Sequence, residues 1–533
     1  MMRRTLPLLA ASMLAGCSLA PKYVRPELPV PASWPVGDAY LRQSEAALPA
    51  ITYRDVFRDP RLQAIVEQAL ANNRDLRIAA ANIAAARAQY RIQRADLLPQ
   101  VDGNARYSYS GGGNGTTTTT GTAVGGGTGT GTGTGGTGAG GTGTGGTGTG
   151  GVGTGTGGTG TGGTVISSGG RGSSYSVNLG VTAFELDLFG RIRSLTGAAL
   201  DRYFGTEAAA RATRLTLVGD IADAWLTYAA DASLLKIAQD TATSAAQSVK
   251  LTRQRLEGGI APRTDLRQAE QVLETANADL ALQRTALAQD VNALQLLVGA
   301  PVDPALLATS IDTAQASVAA LPAGLDSRVL LRRPDVVQAE YELRAANAEI
   351  GAARAALFPR ISLTGLVGFA SNALTSLFSG GAFNYSVTPQ VSVPIFQGGA
   401  GVGGVEYTKA QRDAALATYE RAIQIAFRET ADALARQGTF ADQLRANTAF
   451  RAAALDTLNL TTLRYRGGID TFLTSLDAQR AYYTAQRNLV QTQLIGASNA
   501  VTLYRVLGAD SLLEATADGP QPVTATGAPR PER

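Results

Sequence analysis

The sequence predicts a mixed α and β membrane protein with two structural repeats per chain, few strands and very long helices. Three observations predict it. Residues 61–298 recur in degraded form at 333–507, so the chain of 533 residues is two copies of one unit. Asp75 and Pro99 map to Asp335 and Pro359 at an offset of 260, while Arg255, Gly258, Gly259, Leu280 and Gly299 map to Arg464, Gly467, Gly468, Leu489 and Gly508 at 209. Each copy carries a pair of alternating apolar segments. Each also carries a proline-free, helix-favouring stretch far longer than a compact domain uses.

The elements follow in order from the N-terminus. Arg3-Arg4, an apolar core from Leu6 to Leu14 and then Leu14-Ala15-Gly16-Cys17 predict a signal peptide over residues 1–16. Its ending resembles the bacterial lipobox, which makes Cys17 the expected lipidation site, carrying covalent lipid as the first residue of the mature chain. Ser18 rather than Asp follows it, which favours the outer membrane. Cys17 is the one cysteine and there is no histidine, so neither a disulfide, a recognisable metal site nor a His-dependent triad is expected; no cofactor and no enzymatic activity are predicted. A formal net charge of +4 argues for no nucleic-acid partner. No run of 18 apolar residues predicts a transmembrane helix.

Residues 17–60 are proline-rich and aperiodic, as suits an extended arm. From Asp59-Pro60 a helical pattern through Leu62, Ile65, Val66, Ala69 and Leu70 runs to Leu98, where Pro99 ends it. Residues 111–164 are Gly or Thr except Asn114, Ala123, Val124, Ala139 and Val152, a composition that cannot bury enough apolar surface to order itself; 111–172 is expected to be a solvated external loop.

The flanking segments alternate. Val101, Gly103, Ala105, Tyr107 and Tyr109 precede the tract, and Val177, Leu179, Val181 and Ala183 follow it; Ile361, Leu363, Gly365, Val367 and Phe369, then Val387, Val391 and Val393, repeat the pattern. Period-2 alternation of this length marks membrane β-strands, although a half-buried soluble strand alternates in the same way. Each copy thus supplies one hairpin and the chain four strands. Four strands cannot close a barrel, and lipid does not tolerate an open sheet edge. Several chains must therefore share one barrel: three would give twelve strands and two would give eight.

Residues 190–257 and 399–466 contain no proline, and about 65 helical residues span on the order of 100 Å. The shorter helices, 61–98 and 262–298, stacked head to tail, match that length. Small residues and narrow apolar stripes (Leu215, Val218, Ala222, Trp225, Ala229; Leu416, Tyr419, Ile423, Phe427, Leu434) suit close helix packing with water on the other face. A coiled-coil rod has the same stripes, but strands adjoining the helices in both copies favour a tube. Gly399 to Gly404 satisfies a dinucleotide-binding glycine pattern; the helix after it is several times too long for that unit, and Phe189-Gly190-Arg191-Ile192 in the first copy lacks the glycines.

Phe184-Glu185-Leu186-Asp187-Leu188-Phe189-Gly190-Arg191-Ile192-Arg193 closely resembles the strand-to-helix junction of outer-membrane efflux lipoproteins of the NodT type, relatives of TolC and OprM. So do Leu330-Leu331-Arg332-Arg333-Pro334-Asp335-Val336, Ile350-Gly351-Ala352-Ala353-Arg354, Phe358-Pro359-Arg360-Ile361-Ser362, Pro394-Ile395-Phe396-Gln397-Gly398-Gly399 and Leu476-Asp477-Ala478-Gln479-Arg480. The resemblance covers nearly the whole chain, the Gly/Thr tract being its main departure. It implies a TolC-like fold, assembled as a homotrimer with a shared 12-stranded outer-membrane β-barrel and a long periplasmic α-helical barrel. It implies an outer-membrane exit channel of a tripartite efflux system, passing drugs or other small molecules without chemistry of its own. The implied partners are a periplasmic adaptor (membrane fusion protein), an inner-membrane transporter of the RND type and outer-membrane lipid. Residues 299–332 become an equatorial linker between the repeats 61–298 and 333–507, and 508–533 a C-terminal tail in the same belt. The block 330–335 reads as the cap of the second copy's first helix.

The resemblance also places adaptor docking and the periplasmic aperture at the helix–helix turns, Gly258-Gly259-Ile260-Ala261 and Gly467-Gly468-Ile469-Asp470. A plain helix C-cap explains the glycines equally well. Arg464, Tyr465, Asp470 and Asp477 are the candidate aperture gate; Asp477 matches the family's acidic position, whereas Thr474 stands where some relatives carry a second Asp. A type I protein-secretion duct is an alternative within the same architecture. A surface-anchored structural or adhesive stalk is the alternative from another class, and the repeated hairpins speak against it.

Overall fold

The computed structural model describes residues 19–31, 33–35, 52–110, 172–319, 327–509, 513–516 and 519–522. Cys17 and the Gly/Thr tract lie outside the described residues. The chain forms two compact units, one holding Arg91–Thr196 and Gly351–Val405 and the other Ala20–Tyr90, Gly197–Ile350 and Glu406–Arg533.

The first unit is built on an antiparallel sheet whose strands lie in chain order: β1 (Val101–Ser110), β2 (Gly172–Glu185), β3 (Arg360–Ser371) and β4 (Phe383–Ser392). The pairings Ala105↔Val177, Val177↔Phe369 and Phe369↔Phe383 carry one apolar face across all four strands. Asn104↔Asn178 and Ser362↔Gln390 belong to the opposite, polar face. The apolar face is bare: Tyr107, Leu179, Tyr385, Val387 and Val391 are all more than half exposed. This is the pattern of strands with lipid on one side and water on the other. Strands β1 and β4 are the sheet edges, each with one neighbour in the chain.

One strand departs from its expected alternation. The register shifts between Val181 and Phe184, so the apolar series passes from Val181 to Phe184 and does not continue through Ala183. Ala183 sits in a bulge at φ 52°, its N–H donating to Thr364 Oγ1 at 3.2 Å. A side chain in the left-handed region costs about 1 kcal/mol. The substitution Ala183→Gly should therefore raise the unfolding midpoint in detergent, by about 0.5–1 kcal/mol of stability. A lowered midpoint would show that the bulge is not strained.

The second unit is helical. Asp59 caps α2 (Pro60–Asn72; α1 is the short Tyr53–Val56) by accepting from Arg61 N at 2.8 Å, with Pro60 at the first helical position. The single helix expected over 61–98 is instead two, because the chain breaks at Asn73 before α3 (Arg74–Ala95). The long helices α4 (Arg191–Glu257) and α8 (Ala400–Arg466) hold 67 residues each, at an offset of 209 at both ends. Helix α5 (Arg263–Val298) follows α4, and α9 (Phe472–Val506) follows α8. Between the copies lie α6 (Ile311–Ala316), a 3-10 segment at Ser327–Arg332, and α7 (Pro334–Ala355). The packed centre holds Ile221, Trp225, Tyr419, Tyr504 and Phe57, all fully buried, and Trp225 Nε1 donates to the Leu306 carbonyl at 3.0 Å.

The head-to-tail stacking of short helices is visible at two splices related by the repeat. Asn73 Nδ2 donates to the Leu297 carbonyl at 2.7 Å while Asn73 Oδ1 accepts from Leu76 N at 3.0 Å. One side chain thus ends α5 and starts α3. In the second copy Arg333 takes this place: its Nη1 donates to the Val506 carbonyl at 3.4 Å, and its Nη2 donates to Asp335 Oδ2 at 2.7 Å and Glu429 Oε2 at 2.9 Å. Gly299 (φ 74°) and Gly508 (φ 63°) close the incoming helices. At Gly299 a Cβ would lie 2.8 Å from the Asn72 carbonyl oxygen, so the position has no room for a side chain.

The N-terminal arm is extended but not loose. Tyr23 and Arg25 both donate to Glu340, whose side chain is 1% exposed, Asn347 Nδ2 donates to the Pro21 carbonyl at 2.8 Å, and Trp34 stacks on Phe427. The strand count is also larger than expected, since Leu513–Thr516 (β5) and Gly519–Pro522 (β6) pair antiparallel near the C-terminus. Among the described residues no helix is long and apolar enough to cross a membrane.

Candidate functional site

Both helix–helix turns are built by the same six-residue hydrogen-bond pattern. After α4, Gly259 N donates to the Leu256 carbonyl at 3.0 Å and Ile260 N to the Arg255 carbonyl at 2.8 Å. After α8, Gly468 N donates to the Tyr465 carbonyl at 3.0 Å and Ile469 N to the Arg464 carbonyl at 2.9 Å. These are Schellman caps, and they need a left-handed residue, supplied by Gly259 (φ 71°) and Gly468 (φ 74°). Backbone geometry therefore accounts for the second glycine of each pair. Gly258 and Gly467 have no such requirement: a Cβ there would meet its nearest neighbour at an ordinary 3.4 Å.

The two turns differ in charge. Arg464 donates to Asp470 twice, Nε to Oδ2 at 2.7 Å and Nη2 to Oδ1 at 3.0 Å. This hydrogen-bonded guanidinium holds the Asp470 carboxyl below the usual carboxylate range. In the first turn Ala261 stands where Asp470 stands in the second, so Arg255 has no such acid. Arg255 instead lies over the Tyr465 ring, 4.6 Å from its centroid, and donates to the Tyr465 carbonyl at 3.2 Å. One arginine thus ties the two turns of a chain together, and its counterpart is tied within its own turn.

Of the four gate candidates, Tyr465 is buried, packing with Phe472, Leu476, Val249, Leu266 and Ala269 in a small core of its own. Its hydroxyl is buried without a hydrogen-bond partner. Asp477 is exposed and faces Arg480 at 3.6 Å, away from the Arg464–Asp470 pair in sequence by two turns of helix. The structure brings Arg464, Asp470 and, through Arg255, Tyr465 together; Asp477 stands apart. Within the turns expected to dock an adaptor, Ile260 and Ile469 project outward at 71% and 68% exposure. The offset of 209 that pairs the glycines also pairs these isoleucines.

Two hairpins in one sheet, two 67-residue helices and two capped turns define the class: the chain is a TolC-like outer-membrane channel subunit. The family model described as outer membrane efflux protein matches residues 65–138, 145–300 and 325–509, and the chain belongs to that family. It is 40% identical over 510 residues to the solvent efflux pump outer membrane protein SrpC of Pseudomonas putida, covering 95% of this chain and 98% of that one. It is 41% identical over 500 residues to the antibiotic efflux pump outer membrane protein ArpC of the same species, covering 93% of each. Among solved structures, the open state of the Neisseria gonorrhoeae MtrE outer membrane channel superposes with a TM-score of 0.75 at 31% identity, over 92% of this chain and 98% of that chain.

Proposed function

We propose that the chain is the outer-membrane exit duct of a tripartite efflux pump, passing solvents, antibiotics and other small amphiphiles outward without chemistry of its own. The observation that carries this is the repeated hairpin-and-long-helix unit in a member of the outer membrane efflux protein family, whose relatives are named for solvent and antibiotic efflux. The bare edges β1 and β4 need partners in lipid, so several copies share one barrel, and the likeness to TolC-like channels supports three copies with twelve strands. The inner-membrane partner is a transporter of the RND type, joined through a periplasmic adaptor that docks on the turns around Gly258, Gly259, Gly467 and Gly468. The exposed Ile260 and Ile469 give that docking surface its apolar contact. Arg464, Tyr465, Asp470 and Asp477 form the aperture, with the Arg464–Asp470 tie as its closing element.

Cys17 is lipidated and anchors the chain in the outer membrane. The arm supports this reading: Leu19, two residues on, accepts through its carbonyl from Arg354 Nη1 at 3.1 Å, six residues ahead of β3. The repeats divide as residues 61–298 and 333–507, with 299–332 as the linker and 508–533 as the tail. The test is a planar-bilayer recording on purified protein of known mass. Trimers of low conductance are expected; a monomer that never conducts, even with the turn charges substituted, would remove the channel reading.

A further inference from the structure

Asp231 on α4 and Asp290 on α5 meet side chain to side chain, where α5 returns along α4 from the first turn. Both are half-buried, and Asp290 Oδ2 is buried without a hydrogen-bond donor. Two carboxylates cannot donate to each other; a carboxylic acid can donate to a carboxylate. No arginine or lysine acts on either carboxyl. Lys236, farther along α4, is taken by Asp240, Arg61 on α2 is taken by Asp59, and Arg487 on α9 lies over the Tyr483 ring. From the linker, Ile311 N donates to Ser233 Oγ at 2.9 Å, while Asp312 of α6 accepts from Gln493 Nε2 at 2.6 Å. The Tyr228 hydroxyl is the other titratable group beside Asp290, and burial and the Asp290 charge push it up.

The second copy shows that the fold does not require this contact. At the offset of 209 the matching positions are Phe440 and Asn499. Asn499 is buried, and its Nδ2 donates to the Ala433 carbonyl at 3.0 Å. A neutral amide carries its own hydrogen at every pH, whereas Asp290 carries one only as the acid. Burial first, and then the Asp231 charge, push the Asp290 carboxyl up to about 7, and burial pushes Asp231 up as well.

We propose that Asp231 and Asp290 share one proton across the α4–α5 contact, and that its loss loosens the hairpin carrying the first turn as the surroundings change from acid to alkaline. A carboxyl raised by folding binds its proton more tightly in the folded chain. The stability it contributes is therefore fully present below its ordinary value of about 4. That stability is lost as pH rises through the folded value of about 7, above which two like charges face each other. The Arg464–Asp470 pair in the second turn has the opposite sign, because its carboxyl is held below the ordinary value. The two hairpins of one chain thus answer pH in opposite directions. Neither the duct nor the trimer is needed for this device.

The test is denaturant unfolding of the full chain in detergent across a pH series, for the wild type, Asp290→Asn and Asp231→Asn. Measured against Asp290→Asn, the wild-type midpoint is expected to fall as pH rises from about 5 to about 7 and then to run level. Asp231→Asn removes the second charge and supplies an amide donor, so it should shrink the same fall. Infrared spectra give an independent reading. The difference between the wild type and Asp290→Asn at about pH 5.5 should show the carbonyl band of a protonated carboxylic acid, gone by about pH 8.5. Parallel midpoint curves for the wild type and Asp290→Asn, or a difference spectrum without that band, overturn the shared proton. An amide imitates the protonated acid, so failure of both variants to fold overturns it too.

Discussion

Replacing Arg333 by alanine is expected to cost about 3 kcal/mol of stability, because a buried guanidinium and its hydrogen bonds to a helix-end carbonyl and two partly exposed carboxylates are lost together. Arg333 is 8% exposed and joins three things at once: the last turn of α9 through the Val506 carbonyl, the first turn of α7 through Asp335, and α8 through Glu429. Its positive charge also sits at a helix C-terminus, where the helix dipole favours it. Without it, Glu429 loses its partner. Arg333→Lys should recover little, because an ammonium cannot serve Asp335 through two nitrogens and still reach Glu429. The matched change in the first copy, Asn73→Ala, should cost about 1–2 kcal/mol, the loss of a neutral cap. Denaturant unfolding of the detergent-solubilised protein, followed by helical circular dichroism, measures both. Equal effects at the two splices would show that charge contributes nothing there.

Breaking the Arg464–Asp470 tie is expected to raise single-channel conductance several-fold. The pair is exposed and weak alone. In a trimer three copies break together around one axis, which is why a small local change has a large reading. Arg464→Ala and Asp470→Asn should act alike, and Asp477→Asn, outside the tie, should change conductance far less. The pH dependence has a definite sign. The Asp470 carboxyl is held below its ordinary value by Arg464, so the tie is intact above that ordinary value and is lost only as pH falls through the depressed one. Wild-type conductance should therefore rise in acid, and Arg464→Ala should abolish that rise. A channel whose conductance ignores both substitutions is not closed by this pair.

Much of this architecture was legible in the sequence, for physical reasons that differ from element to element. Helix α4 was expected over 190–257 and α8 over 399–466, and they occupy Arg191–Glu257 and Ala400–Arg466, because glycine marks both ends of long runs without proline. The strands were legible from alternation until the bulge at Ala183, where a hydrogen bond to Thr364 on the neighbouring strand overrides local pattern. The break at Asn73 was not expected, since Asn72-Asn73 lies in a run that favours helix and the Leu297 carbonyl it serves is more than 200 residues away. The repeat held the missing signal: the position matching Asn73 is Arg333, followed by Pro334, a helix start. The pair β5 and β6 is four residues a side and contains prolines, too short for alternation to show. At the turns the glycines were legible, but which charges meet was not, because Arg255 reaches across to Tyr465 while Arg464 folds back onto Asp470.

The central claim is that this chain carries small toxic compounds out through the outer membrane. It is tested most directly by deleting the gene in its host, restoring it on a plasmid, and measuring susceptibility to a panel of organic solvents and amphiphilic antibiotics. The deletion strain is expected to become sensitive to members of the panel, and the restored chain, with Cys17 intact, to return resistance. Deletion and restored strains that match the wild type against every compound would contradict it.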